Sequence, residues 1–189
     1  MSLLLKDEII ERIIQAGVEV FYEKSYRNAE MQEIAERVGL PVSMICNYYY
    51  NKEKLFDRIV SSLQIYFDKI TDDEEWPTGF TAGKCSDVVE KCVMMLRENH
   101  KVFVILMDKS QGTKHEHSKN QMIRFIEHHT RRQFAGKAHT EYNNIMCHIL
   151  ARNFVEGIID VARHYEDRRV SRKMLSFEIK CYYEGVNSL

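Results

Sequence analysis

The chain has 189 residues, a formal net charge of −1 from 27 basic and 28 acidic side chains, and an apolar fraction of 44%. These values are ordinary for a globular protein and argue against collagen, low-complexity disorder and transmembrane bundles. With only 8 glycines and 2 prolines, the chain has too few turn-forming residues for a β-sandwich or barrel. The near-neutral charge excludes a strongly basic nucleic-acid coat but is compatible with a small DNA-reading face.

The N-terminal segment and the cysteines indicate in which cellular compartment the protein is located. The three leucines at residues 3–5 are too short a run for a signal peptide, and no stretch approaches the roughly 18 apolar residues of a membrane span. The five cysteines are odd in number and form no CxxC pair, which is typical of free thiols in a reducing environment. We therefore expect a cytoplasmic protein without membrane association.

Apolar residues at helical spacing predict four helices in the first part of the chain, at residues 6–24, about 29–37, 41–49 and 53–67. A Ser-Tyr-Arg-Asn break ends the first helix, and Gly39 ends the second. Pro41 stands where the third helix begins, which is the helical position that proline favours.

Five further helices follow an acidic linker at residues 72–79, which contains the second proline. They are predicted at residues 84–98, 100–109, 116–135, 140–165 and 171–187. No segment alternates with period two for long enough to indicate a strand. The pattern predicts an all-α fold, with an N-terminal module over residues 1–51 and a helical domain over residues 52–189.

The second and third predicted helices have the arrangement of a helix-turn-helix, with a tight turn at residues 38–40. In this motif the second helix lies across the DNA backbone and the third offers its N-terminal side chains to the major groove. Ala35 is small enough for the two helices to approach closely, and Gly39 suits a turn with positive φ. The side chains expected to pack the helices together are Ile34, Val38, Leu40 and Ile45.

Three segments of this region resemble the N-terminal signature of TetR-type transcriptional regulators, in the same order and spacing. They are residues 21–26 (FYEKSY), 31–40 (MQEIAERVGL) and 48–56 (YYYNKEKLF). The resemblance spans residues 9–60. It implies a homodimer that binds a double-stranded DNA operator through its first three helices and a small-molecule effector of apolar or aromatic character through its later helices. The implied function is a ligand-responsive repressor that the effector releases from its operator.

The resemblance also implies the residues that contact DNA. Lys52, at the start of the fourth helix, would contact a phosphate, and Tyr48 falls at a position that touches the DNA backbone. The exposed part of the third helix carries Val42, Ser43, Met44 and Asn47. Asn47 is the strongest candidate for direct readout, because an amide pairs bidentately with adenine. Met44 and Val42 offer only apolar contacts.

Several residues depart from the family pattern. Ala29 and Glu30 stand where a Thr/Ser pair is usual, Val42 where lysine is common, and Cys46 where an aromatic residue is common. Ser25 replaces a helix-ending glycine, which costs about 1 kcal/mol if φ is positive there. Residues 1–60 hold eight basic and ten acidic side chains, a net charge of −2. The alternative is therefore a helical ligand- or protein-binding module whose degenerate helix-turn-helix binds DNA weakly or not at all.

Methionine and aromatic residues of the later helices are candidates for an adaptable effector pocket. They are Met94, Phe103, Met107, Phe125, Tyr142 and Met146, together with His148. For each residue the alternative is ordinary core packing.

The two C-terminal helices carry apolar stripes that could pair with their copies in a four-helix dimer interface. The candidate residues are Ile149, Ile158, Ile159, Leu175, Ile179, Tyr182 and Tyr183. The alternative is that these stripes pack only within the chain.

Catalytic and metal-binding functions find little support. The sequence contains no GxSxG, P-loop, HExxH or GxGxxG motif, so we expect neither an enzyme nor a cofactor. All eight histidines follow residue 99, and the pairs His115/His117 and His128/His129 suggest a metal sensor as a third hypothesis. Solvated surface histidines are the simpler interpretation, and we expect no metal site.

Overall fold

The computed structural model describes residues 3–72, 82–133 and 141–188, which form eight α-helices and no strand. The helices are α1 (Leu3–Asn28), α2 (Met31–Val38), α3 (Val42–Tyr48), α4 (Lys52–Asp72), α5 (Ala82–Asp108), α6 (Ser118–Gln133), α7 (Glu141–Arg163) and α8 (Arg168–Ser188). The all-α prediction is confirmed. Among these described helices, none combines the length and the apolar character that crossing a membrane requires.

The sequence predicts two helices separated by Asn99, and the backbone of α5 is non-helical at this residue, with φ −134° and ψ 15°. The element labelled α5 is therefore two helical segments that meet at a kink. Asparagine favours local bonds between side chain and backbone, and Asn99 Nδ2 donates to the Met95 carbonyl at 3.3 Å. The kink at Asn99 therefore separates the two segments at the residue that the sequence predicts. The predicted linker lies outside the described residues from residue 73 onward.

The chain forms two compact units, and the division is not simply sequential. The first unit comprises residues 1–66 and 101–116, and the second comprises residues 67–100 and 117–189. Both α4 and α5 therefore run from one unit into the other. No local sequence pattern indicates that the end of α5 belongs with the N-terminal helices. The functional boundary predicted at residue 51 stays a prediction.

The core of the first unit joins α1, α4 and the end of α5. Phe56 of α4 is fully buried and meets Phe21 edge-on, with ring centroids 5.1 Å apart, and Tyr26 in the same manner at 5.0 Å. Gly17 allows α1 to approach α4 closely, because a Cβ at this position would lie 2.8 Å from Ile59 Cδ1. The strong apolar stripes of α1 and α4 thus produce one shared core.

The loop that follows α5 is built from its own hydrogen bonds and is tied to α4. Ser110 Oγ donates to the Leu106 carbonyl at 2.8 Å, and Thr113 Oγ1 donates to the Ser110 carbonyl at 2.7 Å. Asp57 of α4 accepts from Lys114 Nζ at 2.8 Å and lies 2.9 Å from His115 Nε2.

The contacts of Asp57 with Lys114 and His115 change the ionisation of its carboxyl group. Burial acts to raise the pKa of its carboxyl, but the hydrogen bonds from Lys114 and His115 outweigh burial and hold the pKa below its ordinary value. The carboxylate form of Asp57 is therefore the form that attaches the loop to α4.

The second unit packs α6, α7 and α8 together with the first part of α5. Thr130 of α6 is fully buried, and its Oγ1 donates to the Ile126 carbonyl at 2.7 Å. The same Oγ1 lies 2.6 Å from Tyr182 Oη of α8, so Tyr182 donates in this contact. The Tyr182 ring stacks on Phe154 of α7 at 4.4 Å. This polar contact fixes α6 against α8 inside an otherwise apolar core.

Ser25 has a backbone conformation that is normally restricted to glycine. Its φ of 70° and ψ of 163° kink α1 near its end, and it is the only non-glycine residue with positive φ among those that the structure describes. A side chain in this region costs on the order of 1–3 kcal/mol. The sequence expectation that serine replaces a glycine suited to positive φ agrees with this geometry.

Replacing Ser25 with glycine should raise the free energy of unfolding of the first unit by about 1 kcal/mol, because glycine relieves the strain at the cost of some chain entropy. Urea unfolding followed by circular dichroism, with hydrogen exchange of the α1 amides, measures the gain. Ser62→Gly at an exposed site within α4 is the matched control and should lose about 0.5 kcal/mol. Equal effects of the two substitutions would contradict the strain at Ser25.

Candidate nucleic-acid interface

The turn between α2 and α3 has the geometry that a helix-turn-helix requires. Gly39 adopts φ 71° and ψ 34° and ends α2 in the left-handed conformation that glycine adopts without steric cost. The backbone N–H of Leu40 donates to the Ala35 carbonyl at 3.1 Å. Ala35 is 2% exposed, so the small side chain allows the close approach predicted for it. Pro41 precedes the first turn of α3.

The packing residues predicted for this motif are placed as expected with one exception. Ile34, Val38 and Ile45 are buried, whereas Leu40 in the turn is only half-buried. A single buried residue of α3, Ile45, thus anchors this short helix against the rest of the unit.

The remaining side chains of α3 are directed outward and carry no charge. Ser43, Met44 and Asn47 are exposed, and Val42 and Tyr48 are half-buried. These five residues were all predicted to contact DNA, and the structure brings them together on one helix. A face without charge can read bases through hydrogen bonds and apolar contacts but adds no electrostatic attraction to phosphate.

Basic side chains around α2 are engaged by carboxylates of the same unit. Lys24 pairs with Glu33, and Arg37 pairs with Glu23. The hydrogen bond from Lys24 lowers the pKa of Glu33, and the hydrogen bond from Arg37 lowers the pKa of Glu23. Two of the eight basic side chains of residues 1–60 are therefore already paired with carboxylates before any phosphate approaches.

The N-terminus of α2 is also occupied by acidic residues. Glu30 is the residue that precedes α2, and its backbone N–H donates to Glu33 Oε2 at 3.2 Å. A helix N-terminus attracts anions through its unpaired N–H groups and dipole. Because carboxylates already stand at this end of α2, a DNA phosphate would have to compete with them there.

Lys52, the predicted phosphate contact, lies in an unexpected environment. Its Nζ donates to the carbonyls of Tyr26 and Ala29, both at 2.8 Å. The ammonium also lies 4.6 Å from the centroid of the Tyr26 ring. Burial lowers the pKa of Lys52, partly opposed by the charge of Glu30. No sequence pattern pointed to these contacts, because the partners lie 23 and 26 residues away along the chain.

Three exposed residues next to this region were not singled out from the sequence. Tyr50, directly after α3, is 84% exposed, and its place in the run YYY gave no sign of that. Arg27 and Lys54 are also exposed, and within the described part of the chain neither has an ion-pair partner.

The residues predicted for an effector pocket fall in both units. Phe103 and Met107 are buried in the first unit. Phe125 and Met146 are half-buried in the second, Met94 there is 52% exposed, and His148 is exposed, with Nδ1 2.9 Å from Glu127 Oε2. The Tyr142 side chain lies outside the described residues. The pocket stays a prediction.

The residues predicted for a dimer interface are mostly core residues of the second unit. Ile158, Ile159, Leu175, Ile179, Tyr182 and Tyr183 are at most 4% exposed. They pack within the chain, which is the alternative considered for these stripes, and they offer no surface to a partner. Ile149, at 40% exposed, is the exception. The physical reason is that α7 and α8 need an apolar stripe for each other before any stripe is available to a second copy.

The histidines are dispersed over the structure. His115 contacts Asp57, His148 contacts Glu127, and His164 Nδ1 lies 2.9 Å from the Asp160 carbonyl. Within the residues that the structure describes, no three His, Cys, Asp or Glu side chains converge as metal ligands.

Residues 13–59 match the family model of the bacterial regulatory proteins of the tetR family. The N-terminal module is therefore similar to that of the TetR family. These residues cover α2, α3 and parts of α1 and α4, so the match coincides with the helix-turn-helix described above. No curated protein matches the chain in sequence.

Solved TetR-like structures share the fold over most of the chain. A TetR-like transcriptional regulator from Rhodococcus sp. RHA1 is 14% identical with a TM-score of 0.61, covering 89% of this chain and 92% of its own. NalD of Pseudomonas aeruginosa, the secondary repressor of the MexAB-OprM multidrug efflux pump, is 16% identical with a TM-score of 0.55, covering 95% of this chain and 96% of its own. At these identities the likeness extends to the fold alone.

Proposed function

We propose that the chain is a dimeric, ligand-responsive repressor of the TetR type, located in the cytoplasm and without enzymatic activity. The observation that carries this proposal is the uncharged outer face of α3, which is held by the Gly39 turn and Ile45 in the geometry of a reading helix. Asn47 is the residue proposed to read a base, with Ser43, Met44 and Val42 beside it. The partner is double-stranded DNA.

The effector side of the proposal rests on the second unit. We propose a small molecule of apolar or aromatic character, bound near Phe125 and Met146. Because α4 and α5 both continue from this unit into the first, we propose that effector binding acts on the DNA-binding unit through these two elements. The effector would lower DNA affinity by the difference between its affinities for the two states.

Selection from random duplex DNA tests the proposal, with log K of the enriched duplex followed against log salt. We expect enrichment of a two-fold symmetric site whose half-sites lie about 34–36 Å apart. Asn47→Ala should weaken binding to this duplex by about tenfold or more, since a bidentate base contact contributes about 1–3 kcal/mol. Asn120→Ala, at an exposed site on α6, is the matched control and should leave affinity unchanged.

A second candidate function has a specific observation in its favour. Lys24 and Arg37 are paired within the unit, and Glu30 and Glu33 occupy the N-terminus of α2. These features favour a module that binds DNA weakly or not at all. Absence of any enriched duplex for the wild-type chain would support this candidate and overturn the repressor.

The proposed homodimer would use the exposed apolar residues of α7 and α8. Ile145 and Ile149 lie one helical turn apart on α7 and are 55% and 40% exposed, and Met174 and Phe177 lie in the same relation on α8 at 38% and 69%. A monomer rarely leaves so large an aromatic side chain exposed beside other apolar residues without a partner. We propose these residues for the interface in place of the buried ones first predicted.

Phe177→Glu should convert the dimer to a monomer, raising the dissociation constant at least 100-fold, because a charge would be buried in an apolar interface. Sedimentation velocity over a range of concentrations measures the change. Tyr50→Glu introduces the same charge at an exposed aromatic residue of the first unit and should leave the dimer intact. Unchanged sedimentation of Phe177→Glu would argue for a different interface or for a monomer.

A further inference from the structure

The corner between α1 and α2 combines a strained backbone with a half-buried cation. Ser25 kinks α1 at φ 70°, and the chain then turns through residues 26–29 before α2 begins. Carbonyls at such a corner have lost their helical partners and need donors from elsewhere. The ammonium of Lys52 supplies them, since it donates to the carbonyls of Tyr26 and Ala29.

The ammonium of Lys52 also lies close to an aromatic ring. A lysine ammonium has three donors. Two are used by the carbonyls, and the charge lies 4.6 Å from the Tyr26 ring centroid, within the range of a cation–π contact. The Tyr26 ring is itself held against Phe56 at 5.0 Å. The half-buried lysine is thus held by two carbonyls and one ring of its own unit.

The N-terminus of α4, which was expected to assist a phosphate contact, has its own cap. Asn51 Oδ1 accepts from the backbone N–H of Lys54 at 2.9 Å, as an N-cap residue does. The ammonium therefore donates to groups within the chain, and Asn51 caps one backbone N–H of the helix end.

We propose that Lys52 is a positioning residue, which locks the corner between α1 and α2 and thereby sets the angle at which α2 and α3 meet DNA, and that it does not itself bind phosphate. This inference rests on the proposed DNA-binding function and differs from the phosphate contact that the family resemblance implies. Arg27, within the same corner and exposed, remains available for phosphate, as does the exposed Lys54.

Lys52→Met tests the lock, because it removes the ammonium and keeps the aliphatic stem. We expect the melting temperature to fall by roughly 5–10 °C as two carbonyls lose a charged donor. Affinity for the duplex enriched by the wild-type chain should fall about tenfold, measured well below the melting temperature, while the slope of log K against log salt stays unchanged. Lys54→Met, two residues along α4, is the matched control and should leave the melting temperature unchanged.

The double variant Ser25→Gly/Lys52→Met separates positioning from simple stabilisation. Glycine at position 25 should restore the melting temperature but not the DNA affinity. Restoration of both would overturn the positioning role. An unchanged melting temperature, with a salt slope reduced by about one unit, would identify Lys52 as a phosphate contact and overturn the inference while leaving the proposed function intact. If the wild-type chain enriches no duplex, the proposed function and the positioning role both fail, and the melting temperatures still reveal whether the lock exists.

Discussion

Replacing Phe56 with alanine is expected to lower the free energy of unfolding of the first unit by about 4 kcal/mol. The side chain is fully buried, and large-to-small substitutions of buried phenylalanine cost about 3–5 kcal/mol through lost transfer energy and the cavity left behind. Its edge-on contacts with Phe21 and Tyr26 add to this loss, since aromatic pairs contribute beyond their buried area.

Tyr50→Ala is the matched control for this substitution. It removes an aromatic side chain from the same unit, but at a site that is 84% exposed, so stability should change by no more than about 0.5 kcal/mol. Urea unfolding gives the overall free energy, and hydrogen exchange of α1 and α4 amides assigns the loss to the first unit. A loss below about 1.5 kcal/mol for Phe56→Ala would mean that the core closes around the vacancy.

The loss should extend beyond α4, because Phe56 lies where three parts of the chain meet. Its ring is 6.2 Å from the His115 ring, and its neighbour Asp57 holds Lys114 and His115. We therefore expect the alanine variant to increase hydrogen exchange in residues 109–116 as well. The segment after α5 depends on α4 for its attachment.

Local features of the helix-turn-helix were predictable from the sequence. Gly39, Pro41 and the apolar pattern around Ile45 favour the turn between α2 and α3 through contacts with residues close in sequence. Such a turn forms almost independently of the rest of the fold. The outward-facing residues of α3, including Asn47, follow from helical periodicity once Ile45 is known to face inward.

Contacts between distant parts of the chain were not predictable in the same way. Lys52 has the sequence context of a helix start, and nothing nearby indicates that Tyr26 and Ala29 carbonyls will take its donors. Likewise the end of α5 joins the N-terminal helices, although α5 reads as a continuation of the later helical domain. Periodicity identifies which face of a helix is apolar but does not name the surface that covers it.

The same limitation explains why the residues first predicted for the dimer interface are packed within the chain. The stripe through Ile158 and Ile179 was correctly recognised as apolar, but the intramolecular contact between α7 and α8 uses it. A second, weaker stripe through Ile149 and Phe177 is left exposed. Two apolar faces on one helix are hard to rank from sequence alone, since both repeat with nearly the same period.

The second large effect is expected on acidification and comes from His129. This side chain is 4% exposed, and burial, helped by the charges of Arg132 and His128, lowers its pKa from 6.5 to about 4. The unfolded chain takes up the proton near pH 6.5, whereas the folded chain resists it until about pH 4. Between these values the unfolded state binds more protons, so stability falls as the pH decreases.

The size of this acid effect follows from the shift. A difference of one pKa unit corresponds to about 1.4 kcal/mol, so the second unit should lose roughly 2–3 kcal/mol between pH 7 and pH 4.5 through His129 alone. His129→Gln removes the titrating group and should flatten the stability curve over this range. Its stability relative to the wild-type chain should therefore improve by about 2–3 kcal/mol on acidification, whatever the substitution costs at pH 7.

Urea unfolding at pH 7 and pH 4.5 measures this change in stability for the wild-type chain, for His129→Gln and for the control variant His128→Gln. That substitution removes an exposed histidine one residue away and leaves His129 in place, so the acid loss should persist. If the free energy of unfolding changes equally with pH in His129→Gln and in the wild-type chain, His129 accepts a proton without destabilising the fold, which would contradict this prediction. Since α6 carries both His129 and Thr130, whose hydroxyl meets Tyr182, the acid loss should appear first as faster hydrogen exchange in α6 and α8.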